Sequence, residues 1–322
     1  MTAAPMPENL SMGAGRPMFF VVPRPLHPAR GQYATPRACS ASILIAAHRP
    51  SLGIPKRITA RRHSMWSEDQ LAHFHTFGFS LQPQLFRPDE IAAITSAAES
   101  LWEEILGLLP KGEEAISTVP FVELRAQLTQ LLEDDRIYQP LVQLMGADFV
   151  WSGSEGNRGF APGRTAHHWH ADRPGEPELD YLRVKVMIYL DPQQKDTGAF
   201  RVIPGSHRLP LHQDLQPFQR HHSDSDPTFF GLTGDQVPCC AVETRPGDVV
   251  FFNQSLFHAV YGKTGRRRFI ALKFASRPAS AAHLTSLAQW SPYIFEPHQN
   301  LVHHQSQRIS RMVEGLVELK TG

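Results

Sequence analysis

Cysteine is almost missing from this 322-residue chain, which holds only Cys39, Cys239 and Cys240. An odd number, two of them adjacent, builds no disulfide framework, so a reducing, cytoplasmic compartment is expected. No apolar run approaches the roughly 18 residues that span a bilayer, and no membrane segment is expected. Acidic residues are scarce at the start: residues 1–64 carry nine Lys/Arg and nine prolines against the single acid Glu8. Without an apolar period, this head is expected to be a disordered extension. Its prolines would break the amphipathic helix of an organellar import signal. The remaining 65–322 hold 23 basic and 30 acidic residues, a net of −7. That balance speaks against nucleic acid as a partner and for a small-molecule substrate. The chain has no internal repeat, and nothing in it fixes an oligomeric state.

What is present reads as helices first and strands later. Ser67 and Gln70 have the spacing of a capping box, and Leu71, Phe74 and Phe77 follow at helical intervals up to Gly78. Pro88-Asp89-Glu90 opens a second helix with Ile91, Ile94, Ala98, Leu101 and Ile105 on one stripe, closed by Pro110-Lys111-Gly112. A third helical stretch is expected over about 120–132, and another from Pro140 to a stop at Gly146. From Phe149 the period shifts to two. Val184, Val186, Ile188 and Leu190 then share one face, and Arg183, Lys185, Met187 and Tyr189 the other. Phe200 to Ile203, Val249 to Asn253 and Phe269 to Ala275 complete a set of short strands. The class is α+β, with helices supporting a β-sandwich. The domain is expected to span 65–322, its β core about 149–276, with a polar, turn-rich, lid-like insertion at about 209–246.

The chemistry concentrates in His170-Ala171-Asp172 and, 86 residues on, His258. On an extended segment residues i and i+2 project from one face, so His170 and Asp172 point together. With His258 they make a 2-His-1-carboxylate set, which leaves three metal positions open for other ligands. His167 and His168 are competing donors, and Trp169 would face away from His170. A hydrolytic zinc site would need a general base beside its water, and no residue nominates itself. Arg266-Arg267-Arg268 follow His258, and a guanidinium fork suits the distal carboxylate of a 2-oxo acid. Arg267 shares a face with Phe269 and Ala271, Arg268 with Ile270 and Leu272. The alternation leaves both as co-substrate residues.

These residues resemble the phytanoyl-CoA dioxygenase family. The likeness runs from about Ser67 to Ala275 through Gly78-Phe79, Phe86-Arg87-Pro88-Asp89-Glu90-Ile91 and His170-Ala171-Asp172. It continues through the run from Asp196 to Arg208, which contains Pro204-Gly205-Ser206-His207-Arg208, and through Gly247-Asp248-Val249-Val250-Phe251-Phe252 to His258. The resemblance implies a double-stranded β-helix (jelly roll) holding Fe(2+) on His170, Asp172 and His258. It also implies 2-oxoglutarate and O2 as co-substrates, succinate and CO2 as products, and oxidation of an unactivated C–H bond. It assigns the second iron histidine to His258 rather than His207, and aligns Arg267, with Arg268 as the alternative, on the co-substrate arginine. One departure is Val260, where relatives often carry a serine; another is the short gap from His258 to the arginines. Trp169, Lys185 and Tyr189 are open between lining the cavity and packing. The segment Phe218 to Phe230, with His221 and His222, is open between covering the substrate and lying solvated. Two other readings stand beside the oxygenase: a non-catalytic jelly-roll binding protein, and a cupin-like metalloenzyme that uses no 2-oxo acid.

Overall fold

The computed structural model describes residues 18–21, 65–107, 116–159, 166–173, 181–264, 266–290 and 292–320. Among the described residues thirteen strands lie in chain order: β1 Met18–Val21, β2 Phe79–Gln82, β3 Ile116–Val119, β4 Val150–Arg158, β5 His167–His170, β6 Arg183–Tyr189, β7 Phe200–Val202, β8 Thr228–Phe229, β9 Leu232–Thr233, β10 Cys240–Val242, β11 Val249–Asn253, β12 His258–Val260 and β13 Arg268–Ala275. The helices are α1 Glu68–Phe77, α2 Pro88–Leu106, α3 Ala126–Thr129, α4 Asp135–Met145, α5 Leu211–His221, α6 Ala281–Trp290, α7 Gln299–Val302 and α8 Gln307–Val313. The segment 1–64 otherwise lies outside the described residues, as do Cys39 and the Pro110-Lys111-Gly112 stop. Within that head, β1 pairs antiparallel with β3 at the edge of a sheet.

Two antiparallel sheets carry the fold. The larger runs β1-β3-β4-β13-β6-β11-β2 and the smaller β10-β7-β12-β5. From β4 to β7 and again from β10 to β13 the chain passes from one sheet to the other at each strand. This is the winding of a double-stranded β-helix, and the class is α+β. Strand parity divides the large sheet as the alternation requires. Val184, Val186, Ile188, Ile270 and Leu272 join Ile91, Ala98, Leu101 and Trp102 of α2 in the core outside the barrel. Met187, Tyr189, Phe252, Phe269 and Ala271 turn inward to meet Phe200 and Val202 of the small sheet.

The helix starts behave as their caps dictate. Ser67 Oγ accepts from the Gln70 amide while Gln70 Oε1 accepts from the Ser67 amide, and Gly78 ends α1 in the left-handed region at φ 83°. A Cβ on Gly78 would lie 2.5 Å from His207 Nδ1, so glycine is required there twice over. The single helix expected over 120–132 is not formed. The stretch breaks into a 3₁₀ turn at Val122–Leu124, the short α3, and a second 3₁₀ turn at Gln130–Leu132. Polar side chains compete with the helical ladder here: Thr129 Oγ1 donates to the Val122 carbonyl, and Ser154 Oγ takes the Phe121 and Val122 amides.

The 209–246 insertion is also more ordered than a polar loop, containing α5, the β8–β9 hairpin and β10. Its Leu215, Phe229 and Val237 pack on Trp169, Ala171, Phe257 and Ala259, on the outer face of the small sheet. Gln219 accepts from the Ala171 amide and donates back to its carbonyl at 3.1 and 3.3 Å. The described contacts therefore buttress the back of the ligand strands. The segment was expected to be lid-like beside the site; its described apolar contacts lie on the outer face of the small sheet.

Candidate metal centre and active site

β5 and β12 pair antiparallel with His170 directly opposite His258, and their rings sit 4.2 Å apart. Asp172, two residues beyond His170, brings Oδ1 to 3.8 Å from Nε2 of both histidines. One donor atom from each of the three lies within 4.8 Å of the others, and this is the only such triad among the described residues. Neither competing histidine joins it. His167 stacks on the His170 ring at 4.3 Å, and His168 is drawn outward to Asp224 at 2.7 Å. Trp169 faces away, as alternation demands, with its indole donating to the Gly234 carbonyl.

Backbone carbonyls set the tautomers. His170 Nδ1 lies 2.7 Å from the His168 oxygen and His258 Nδ1 2.9 Å from the Leu256 oxygen. A carbonyl can only accept, so each Nδ1 bears the hydrogen and each Nε2 lone pair turns toward Asp172. Burial pushes the His258 imidazole down to about 3, with the His170 ring adding to it, and burial likewise lowers His170. Burial alone would raise the Asp172 carboxyl, but Lys185 and the two imidazoles hold it well below the usual carboxylate range. Two neutral imidazoles and one carboxylate are the protonation states a divalent metal requires. The donor set therefore fits a 2-His-1-carboxylate ion such as Fe(II).

The arginines separate by face. Arg268 points outward, where Asp191 takes its Nε and Nη2 at 2.9 and 2.6 Å and Glu99 takes Nη1 at 2.7 Å. Arg267 turns inward, its guanidinium 4.7 Å from the Phe269 ring centre, and makes no ion pair among the described residues. Burial pushes its pKa down from the ordinary value. Arg267 Nε and the buried Tyr189 hydroxyl are both polar groups without a partner among the described residues. An acceptor with two oxygens, a carboxylate, is the chemistry that satisfies such a pair. Val260, in place of the frequent serine, is buried and adds no hydroxyl.

Sequence reasoning left Lys185 open and missed its surroundings. Lys185 Nζ lies 3.2 Å from Asp172 Oδ2 and 3.8 Å from Glu155, and Lys273 reaches the same Glu155 oxygen at 3.4 Å. The available signal was parity: Lys273 follows Arg267, Phe269 and Ala271 at intervals of two. His207 stands apart from the triad and packs on α1, its Nε2 3.2 Å from the His75 carbonyl.

Comparison with known proteins agrees with this geometry. An ectoine dioxygenase of Bordetella parapertussis is 25% identical over 258 residues, covering 72% of this chain and 80% of that protein. One from Streptomyces avermitilis is 28% identical over 142 residues, 41% of this chain and 48% of that protein. Among solved structures, HygX of Streptomyces hygroscopicus with nickel and 2-oxoglutarate bound superposes with a TM-score of 0.52 at 21% identity, over 66% of this chain and 88% of that one. EctD of S. alaskensis in its apoform gives 0.52 at 21% identity, over 68% and 80%. The model of the phytanoyl-CoA dioxygenase (PhyH) family matches residues 74–269, more than half of the sequence, and the chain belongs to that family.

Proposed function

We propose that this protein is an Fe(II)- and 2-oxoglutarate-dependent dioxygenase that oxidises an unactivated C–H bond of a small organic molecule. The observation that carries the reading is the convergence of two carbonyl-oriented Nε2 atoms and one carboxylate oxygen on a single point. His170, Asp172 and His258 hold the metal, and Arg267 with Tyr189 anchors the distal carboxylate of 2-oxoglutarate. The pairing of Arg268 with Asp191 and Glu99 supports giving that role to Arg267. When bound, the iron with 2-oxoglutarate and O2 would supply the oxidant, with succinate and CO2 as products.

The chain's own part is positional. The three ligands come from one side, which leaves the remaining positions to co-substrate and O2. Phe200 and Phe252, with ring centres 5.1 Å from that of His258, wall the centre with hydrocarbon and exclude water. Trp169 serves packing, and Tyr189 and Lys185 line the cavity. A reducing, cytoplasmic setting fits Cys239 and Cys240, which form no disulfide. No helix among the described residues is long and apolar enough to cross a membrane.

A succinate-release screen over small organic substrates tests the assignment, beginning with ectoine because the curated relatives are ectoine dioxygenases. Anaerobic addition of 2-oxoglutarate to the Fe(II)-loaded protein should produce a visible charge-transfer band. Iron binding without that band would favour a cupin-like enzyme without a 2-oxo acid. The band without turnover on any substrate would favour a binding protein.

A further inference from the structure

Lys273 on β13 stands directly opposite Lys185 on β6 in the antiparallel register, both on the inner face of the barrel. Like charges directly across a strand pair destabilise a sheet, and stability alone gives no reason to bury them together. Glu155 on β4 lies between the two ammonium groups, at 3.8 Å from Lys185 and 3.4 Å from Lys273, and Asn157 donates to its other oxygen at 2.5 Å. Burial would raise the Glu155 carboxyl, yet the two lysines bring it down to about 2. The side chains of Lys185, Lys273 and Glu155 keep 13%, 17% and 21% of their surface exposed, so they line a space that solvent reaches.

Charge and position decide what this cluster can bind. Asp172 and Glu155 balance Lys185 and Lys273 only while Asp172 is free. With Asp172 committed to the metal, two ammonium groups share one carboxylate and a positive charge is left over beside the centre. The backbone positions of Arg267, just before β13, and Lys273 on it are six residues apart, about 20 Å along the strand direction, so the two basic groups stand toward opposite ends of the inner face. 2-Oxoglutarate extends from the metal toward Arg267, which leaves the lysine end to the molecule being oxidised.

We propose that Lys185 and Lys273 form an acid-binding subsite that makes this enzyme selective for substrates bearing a carboxylate. The subsite deepens the dioxygenase reading and rests on it, because Asp172 must serve the metal for the charge to be left over. The acid group binds across the two ammonium groups by charge-assisted hydrogen bonds and so fixes which C–H bond faces the centre.

Two measurements on the full chain test the subsite. In the first, Fe(II)-loaded enzyme with 2-oxoglutarate is given ectoine, L-proline, L-pipecolate and other small acids, each beside its carboxamide, and succinate is read. Acids should exceed their amides at least tenfold in kcat/KM, and Lys273→Met should raise the KM of the accepted acid at least tenfold while leaving the preference largely erased. In the second, thermal unfolding of metal-free K273M is compared with wild type. Because Asp172 and Glu155 are then left to share Lys185, the metal-free Tm should fall, and loading with Ni(II), which takes up Asp172, should narrow the difference from wild type. Amides accepted as well as acids, no acid accepted by wild type, an acid preference intact in K273M, or a Tm deficit that Ni(II) does not narrow would each overturn the proposal. A wild-type protein that binds neither Ni(II) nor 2-oxoglutarate by titration would instead remove the metal reading itself.

Discussion

Arg268 donates through Nε and Nη2 to the two carboxylate oxygens of Asp191, a fork-on-fork pair at 2.9 and 2.6 Å. Its sequence neighbour Arg267 faces the barrel interior and makes no ion pair among the described residues. One arginine is thus structural and the other is available to a ligand. Replacing them should separate the roles. Arg267→Met should raise the KM for 2-oxoglutarate on the order of 10- to 100-fold, the worth of a charge-assisted pair. Its urea midpoint should stay near wild type. Arg268→Met should cost about 3–5 kcal/mol of stability, because it strands buried Asp191, and should change the co-substrate KM little. Steady-state succinate assays and urea melts on the two variants read this directly.

Asp172→Ala removes the one charged donor of the triad and leaves Lys185 with Glu155. Titration with Ni(II) should show affinity falling by at least 100-fold, and turnover should vanish, while the circular dichroism spectrum stays that of wild type. Retained metal binding would mean that Asp172 is not a ligand.

Acid should destabilise the metal-free protein well above the usual carboxylate range. Burial pushes His207 down to about 4 and His258 down to about 3, against about 6.5 in an unfolded chain. Between those values the unfolded state binds protons that the folded state refuses, so stability is full above about 6.5 and declines as pH falls toward 4. Melting curves in EDTA from pH 7.5 to 4.5 should fall monotonically. His207→Gln should flatten the slope without touching the metal triad.

Gly78→Ala tests the coupling of α1 to the strand end that carries His207. The residue must sit at φ 83°, and its Cβ would strike His207 Nδ1 and Leu256 Cδ1. Left-handed backbone alone costs roughly 1–2 kcal/mol, and the clash adds to it. The expected result is a loss of at least about 2 kcal/mol in a denaturant melt, with metal affinity unchanged.

Much of this was legible one residue at a time. The Ser67 cap, the Pro88 helix start and the two-residue alternation of Arg183 to Tyr189 are local statements, and local energetics settle them. The broken helix after Pro120 was not legible, because Ser154 and Thr129 outbid the helical ladder with hydrogen bonds, and Ser154 sits on a strand more than 30 residues away. The order within the insertion at 209–246 was not legible for a related reason. Its composition is polar, but Leu215, Phe229 and Val237 pack on the outer face of the small sheet.

The sequence by itself determined the donor types and their phase: histidine and aspartate two apart on a strand, a second histidine after a Gly-Asp turn, and arginines of opposite parity. Periodicity carries that information, since it says which residues share a face. Tertiary structure alone decided which face is the inside. It also paired Arg268 with Asp191 and Glu99 while turning Arg267 inward, and brought Lys185, Lys273 and Glu155 from three strands onto one space. Those outcomes depend on strand register, a property of pairs of segments that no single segment encodes.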